Sequence, residues 1–182
     1  MNGRKNGKNS RGRTFRVALC GIFTALGVVV MYLGSLIEVL DLTAAVIASL
    51  FCVIAVIELK GSAPIMIFSA TALLSLLLIP NKFAPTVYLL LAGYYPIVKE
   101  KLEMRFRRRI PCFAIKLLMF NVAFAAILAV SVYLLLLPIE GPLIAIGLIL
   151  LGNLAFVLYD IALTRLISMY FYFLRPRFKF FK

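Results

Sequence analysis

The run VALCGIFTALGVVVMYLGSLI, residues 17–37, decides the fold class of this chain. It contains no charged side chain. A helix rises about 1.5 Å per residue, so a run of this length crosses the hydrocarbon core of a bilayer, which is about 30 Å thick. The run also exceeds the apolar region of about 7 to 15 residues found in secretory signal peptides. We therefore predict a transmembrane helix that is retained in the protein.

Five further apolar runs follow, separated by short polar interruptions, at residues 42–57, 62–79, 83–98, 111–137 and 143–163. The chain has 182 residues, of which 64% are hydrophobic, and a globule this small has too much surface to hide them all. Lipid-exposed runs must satisfy their backbone amides internally, which favours helices, and the alternation typical of a membrane β-barrel is absent. We predict an all-α membrane protein, a bundle of six transmembrane helices with short loops.

Basic residues predict the orientation, because Lys and Arg are enriched in cytoplasmic loops. With the N-terminus inside, 19 of the 20 Lys and Arg residues lie on the cytoplasmic side, and only Lys82 lies outside. We predict a multi-pass protein of the cell membrane with both termini in the cytoplasm. Its regions are a basic tail at 1–16, the six-helix domain at 17–174 and a basic-aromatic tail at 175–182. The net charge of +13 is thus explained by topology, and we expect no nucleic-acid partner.

The connection at residues 99–109 is the longest cytoplasmic one. Lys99 with Glu103, and Glu103 with Arg107, are spaced i,i+4, which favours ion pairs on a helix. The spacing predicts that the fourth helix continues for two turns past the membrane. The segment is interpreted either as a turn facing lipid headgroups or as a docking element for a partner.

The chain lacks the residues that most catalytic and metal sites need. It contains no histidine, which removes the usual proton shuttle and the commonest metal ligand. The seven acidic residues are scattered, the three cysteines are far apart, and no phosphate-binding or nucleophile motif occurs. We predict that the protein is not an enzyme, and we expect no metal and no cofactor.

Asp160 is an acidic residue inside an apolar run, and such residues are functional candidates by default. Its depth on the sixth helix matches that of Asn121 on the antiparallel fifth helix. We predict a structural polar bridge whose members are Lys116, Asn121, Asp160 and Arg165. A transport-coupled proton site at Asp160 is the alternative. Asn153 lies seven residues before Asp160, near mid-membrane, where a polar side chain usually faces other helices or a cavity.

Small residues recur on the first helix at Ala18, Gly21 and Ala25, a spacing that allows close approach of another helix. The basic N-terminus, the first-helix sequence VALCGIFTAL and the segment GYYPIVK at 93–99 resemble the S components of energy-coupling factor transporters. The resemblance implies a membrane subunit that captures a vitamin-type micronutrient outside and docks to a transmembrane coupling subunit and ATPases. It also implies that Ala18, Gly21 and Ala25 form the docking face.

Polar and aromatic residues on the predicted outer side are the candidates for a substrate site, and Lys82 would suit an anionic group. The candidates are Tyr32, Glu38, Asp41, Asn81, Lys82, Tyr88 and Asn153. A solvated loop lysine is the alternative for Lys82. Three functions compete: a substrate-binding transport subunit, a non-transporting membrane scaffold or assembly protein, and a membrane enzyme. An outer cavity lined by polar groups would favour the first, and a solidly packed bundle the second.

Overall fold

A computed structural model describes residues 3–59, 61–106, 109–133 and 141–174. These residues are helical with short connections, and no β-strand occurs among them. The helices are α1 (Gly3–Ser35), α2 (Asp41–Glu58), α3 (Ala63–Leu78), α4 (Phe83–Val87), α5 (Tyr95–Arg105), α6 (Arg109–Tyr133) and α7 (Pro142–Met169). The prediction of an all-helical fold is confirmed.

Within the described ranges, four helical segments are long and apolar enough to cross a membrane: Thr14–Ser35, Asp41–Glu58, Ile110–Tyr133 and Ile146–Tyr172. They correspond to the first, second, fifth and sixth predicted spans. The third predicted span is the shorter apolar helix α3. Most of the large side chains on α7, such as Leu150, Leu151 and Leu154, are exposed. This apolar surface is compatible with contact with a lipid bilayer.

The fourth predicted span is not one helix, and the prediction for residues 83–98 is wrong in this respect. α4 is followed by one wide turn, in which the Gly93 N–H donates to the Tyr88 carbonyl five residues earlier, at 2.8 Å. The helix restarts as α5 at Tyr95. Pro96 has no N–H to continue the earlier ladder but suits the first turn of a new helix, so the segment breaks here.

The chain divides into two compact units, Met1–Arg105 and Phe106–Lys182. In unit 1, α2 lies at the centre and packs against α1, α3, α4 and α5. Its small-residue stripe faces the protein, and the buried members are Ala44, Ala48, Cys52 and Ala55. The small residues of α2 therefore serve packing within unit 1.

Glycines on α1 allow the neighbouring helices to approach its backbone. A Cβ added to Gly34 would collide with the Cβ of Ala44 on α2. A Cβ added to Gly27 would lie 3.1 Å from the Thr71 methyl group on α3. Such close approach increases van der Waals contact, which drives helix association where lipid replaces water.

Unit 2 is a pair of antiparallel helices, α6 and α7. The rings of Phe120 and Phe156 stack with centroids 4.4 Å apart, and Phe124 stacks on Phe120 at 5.5 Å. Gly152 lies against the Phe124 ring, where an added Cβ would be 3.0 Å from the nearest carbon. Aromatic stacking and a small residue opposite it thus fix how α6 and α7 pair.

Helical structure continues past residue 98 as predicted, because α5 ends at Arg105. The Lys99 ammonium lies 3.7 Å from the Glu103 carboxylate, which is the predicted i,i+4 pair. The pairing of Glu103 with Arg107 involves a residue outside the described part of the chain. Lys99 is only 1% exposed, so it belongs to the packed interior of unit 1 rather than to a solvated loop.

The close contact between α1 and α2 predicts opposite effects for two glycine-to-alanine changes on the same helix. Gly34→Ala should destabilise the protein by about 1 to 3 kcal/mol, because the added methyl group overpacks the contact with Ala44. Gly21→Ala should be neutral or stabilise by up to about 1 kcal/mol, because an added Cβ at Gly21 meets open space and alanine favours the helix. Thermal unfolding in detergent measures both variants. Equal midpoints for the two would show that the contact does not limit stability.

Candidate functional site

Two of the predicted ligand residues, Asp41 and Asn81, bind each other. The Asn81 side-chain amide donates to the Asp41 carboxylate at 2.6 Å, and the Asn81 side-chain oxygen accepts from the Phe83 N–H at 3.0 Å. Asp41 is the first residue of α2 and is 4% exposed. A carboxylate is favourable there because the helix N-terminus carries partial positive charge. Asn81 thus joins the start of α2 to the start of α4.

Lys82 forms hydrogen bonds with backbone carbonyls at the end of α3. Its ammonium donates to the carbonyls of Leu76 at 2.7 Å and Ile79 at 2.6 Å. The last carbonyls of a helix have no intrahelical partner, and a cation near them is favoured by the helix dipole. The Lys82 carbonyl in turn accepts from the Thr86 hydroxyl at 2.6 Å. The ammonium that could have held a substrate anion therefore caps α3.

The remaining ligand candidates in unit 1 do not form one accessible site with Asp41, Asn81 and Lys82. Tyr88 is fully buried in the wide turn after α4, with its ring centroid 6.1 Å from that of Phe68. Tyr32 lies on α1 with 44% of its surface exposed. Glu38 begins a short helical turn before α2, and its side chain lies outside the described part of the structure.

Asn153 pairs with Asn121 across α6 and α7. The Asn121 amide donates to the Asn153 side-chain oxygen at 3.0 Å, and the Asn153 amide donates back at 3.1 Å. Each amide also donates to a carbonyl four residues earlier in its own helix, Leu117 and Ile149, both at 2.8 Å. All four N–H donors of the two amides are therefore used within unit 2.

Lys116 and Asp160 form the ion pair at the centre of the predicted polar bridge. The Lys116 ammonium lies 3.4 Å from both carboxylate oxygens of Asp160. The side chains are 7% and 13% exposed, so the charges are largely removed from solvent. Asn121, which was predicted to join them, bonds to Asn153 instead, and Arg165 lies exposed on α7. The structural role of the bridge stays a prediction.

The predicted docking residues lie on the outside of unit 1. Ala18, Gly21 and Ala25 are all exposed. A Cβ added to Gly21 would find no atom within 4 Å. The glycines that serve contacts within unit 1 are Gly27 and Gly34, on other turns of α1. The predicted face is therefore open to lipid or to another helix.

Sequence reasoning missed one contact at the opposite end of α2. The Arg16 guanidinium donates to the Leu59 carbonyl at 2.8 Å and so satisfies the end of this helix. A basic residue before a spanning helix indicates topology, but its spacing does not reveal which carbonyl it meets. Arg16 and Lys82 thus have the same role at two helix ends.

Comparison with protein-family models, with curated proteins and with solved structures finds no match for this chain. The site is therefore interpreted from its own geometry.

The Lys116–Asp160 pair predicts an order of stabilities among variants. Asp160→Ala should cost about 3 to 5 kcal/mol, because it removes the carboxylate that compensates the buried ammonium of Lys116. Asn153→Ala should cost less, about 1 to 2 kcal/mol, because it removes a neutral amide pair. The double variant Lys116→Leu with Asp160→Leu should recover most of the loss, since neither charge remains.

Unfolding by heat or by denaturing detergent in mixed micelles measures all three. If Asp160→Ala unfolds like the wild type but abolishes a transport activity, the structural interpretation of the pair is wrong.

Proposed function

We propose that the protein is a substrate-binding membrane subunit of a transporter for a small micronutrient. It spans the cell membrane six times, with both termini in the cytoplasm, and docks to a separate membrane subunit through α1. The supporting observation is the exposed face of Ala18, Gly21 and Ala25 on a helix of spanning length. An exposed glycine costs a helix about 1 kcal/mol relative to alanine, and this cost is offset where a partner helix approaches the backbone.

A second candidate is a non-transporting membrane scaffold or assembly protein. The observation that favours it is the internal use of the polar candidates: Asp41 with Asn81, Lys82 with the end of α3, and Asn121 with Asn153. A substrate would have to displace these hydrogen bonds, whereas a scaffold would not. Both candidates use the face of α1 for a partner.

Native purification followed by mass spectrometry separates the two candidates. Recovery of ATPase subunits together with a bound small molecule supports the transport subunit. Recovery of other membrane proteins without ATPases or a small molecule supports the scaffold. An enzymatic role is not proposed, because the acidic residues are scattered along the sequence and the chain has no histidine.

The six-span proposal predicts that reporters fused to the two ends give the same cytoplasmic signal. The basis is the distribution of the basic residues, because six spans place 19 of the 20 on the cytoplasmic side. A reporter inserted after Lys82, at the α3–α4 connection, should give the opposite signal. Opposite signals from the two termini would rule out six spans.

Partner docking through α1 predicts that Gly21→Leu and Ala25→Leu lose the partner while the protein stays inserted and monodisperse. A leucine side chain would hold a neighbouring helix away from the α1 backbone. Gly147→Leu is the matched control, because a Cβ added to Gly147 also meets open space; it should recover the partner normally. The measurement is co-purification of the full-length protein, with size-exclusion chromatography to check folding.

Two outcomes contradict the docking proposal. If Gly21→Leu is itself unstable, the face packs within the protein. If Gly21→Leu and Ala25→Leu change neither stability nor partner recovery, the face meets only lipid.

A further inference from the structure

One end of unit 1 gathers positive charge around the start of α1. α1 is a single helix from Gly3 to Ser35, but its apolar spanning part begins only at Thr14. The helical extension before Thr14 contains no acidic residue, and its basic residues are Arg4, Lys5, Lys8, Arg11 and Arg13. We call these five residues together with Arg16 the basic extension.

Described side chains at the same end of unit 1 add to this charge. Arg16 is exposed and is held in place by the Leu59 carbonyl at 2.8 Å. Ile97 near the start of α5 packs against Cys52 and Val56 near the end of α2. The C-terminal end of α5 therefore lies at this end as well, and Lys101 and Arg105 are exposed there. The acids at this end are Glu58, which ends α2, and Glu100 and Glu103 on α5, of which Glu103 is paired with Lys99. The described cations outnumber these acids by one, so most of the positive charge at this end comes from the basic extension.

The helical state of the basic extension is electrostatically unfavourable on its own. Arg4 and Lys8 are spaced i,i+4, and Lys8 and Arg11 are spaced i,i+3, so like charges are neighbours on the helix. The first turn has no acidic residue, and cations near a helix N-terminus oppose the helix dipole. Two glycines, at positions 7 and 12, lower the helix propensity further. An external anion would remove this repulsion.

The distance of the basic extension from the spanning helix identifies the anion. At about 1.5 Å of rise per residue, Arg11 and Arg13 lie within roughly 5 Å of the start of the apolar part along the helix axis. This is inside the Debye length of about 8 Å at physiological salt. Anionic phospholipid headgroups occupy this layer, and each nearby cation gains appreciable binding free energy from them. A nucleic acid or an acidic protein would have to displace the headgroups to reach Arg13 and Arg16.

We propose that the basic extension of α1 binds anionic phospholipid headgroups, which keep residues 3–13 helical and hold this end of unit 1 at the membrane surface. The partner is the anionic lipid itself. The proposal does not depend on whether the protein transports a substrate.

The experiment uses the full-length protein in two kinds of nanodisc, one of phosphatidylcholine alone and one with about 30% phosphatidylglycerol as the anionic lipid. Hydrogen exchange of residues 3–13 should be about tenfold slower or more in the anionic nanodiscs, since several cations act together. Raising the salt to about 0.5 M should remove most of the difference, because exposed charges are screened. Exchange of α2 should be the same in all conditions.

A variant tests the binding of anionic lipid by the basic extension without relying on hydrogen exchange. Replacing the five basic residues at 4, 5, 8, 11 and 13 with glutamine should abolish the preferential retention of phosphatidylglycerol. The measurement is mass spectrometry of the lipids that stay bound to the protein when it is released from nanodiscs of mixed lipid composition. Lys82→Gln, at the other end of unit 1, is the control and should retain phosphatidylglycerol like the wild type. A spanning helix keeps the variant in the membrane, and thermal unfolding checks its fold.

Either of two results would overturn the proposal. One is equal exchange in neutral and anionic nanodiscs with a retained lipid composition equal to that of the bulk. The other is protection of residues 3–13 by an added polyanion, such as transfer RNA or polyglutamate, but not by phosphatidylglycerol, which would make the partner a macromolecule instead.

Discussion

Separation from water is the constraint on which the rest of this structure depends. A polar group within an apolar segment must find its partner inside the protein, because an unsatisfied one costs several kcal/mol in an apolar environment such as the core of a bilayer. Four polar residues of α6 and α7 follow this rule: Lys116 pairs with Asp160, and Asn121 pairs with Asn153. At the ends of helices, where carbonyls lack intrahelical partners, Arg16 and Lys82 supply the donors. These six polar side chains, scattered along the sequence, therefore find partners within their own units of the protein.

Packing between helices follows from the same constraint. Lipid is as apolar as leucine, so helices gain little by burying large side chains and instead gain from close backbone contact. This explains why the buried surface of α2 is rich in small residues and why Gly34 lies directly against Ala44. Large side chains such as Leu73 and Leu77 on α3 remain exposed. The buried surface of α2 is thus made largely of small residues, whereas large apolar side chains lie on the outside of α3.

Much of this fold could be predicted from sequence, because helix bounds depend on local hydropathy. α2 and α3 agree with the predicted runs 42–57 and 62–79 to within one residue. What failed were features set by tertiary contact. At the wide turn after α4, the Phe68 and Tyr88 rings pack against Gly93. Phe68 is distant in sequence, so the local pattern of residues could not predict this contact. The prediction paired Asn121 with Asp160 because each lies five residues from a basic residue, Lys116 or Arg165, which suggested equal depths in the membrane. The pairing of Lys116 with Asp160 and of Phe120 with Phe156 instead fixes the register and brings Asn121 to Asn153.

The internal pairing of polar groups limits how this protein can bind anything else. A ligand that reaches Asp41 must replace the hydrogen bond from Asn81 at 2.6 Å, and one that uses Lys82 must uncap α3. Binding at either position therefore requires a group that reproduces the lost hydrogen bonds, since an unpaired buried donor or acceptor would oppose it. A helix placed at Gly21 would displace no described protein group, because an added Cβ there meets open space. The face of α1 can thus form a contact without first breaking another, unlike the sites at Asp41 and Lys82.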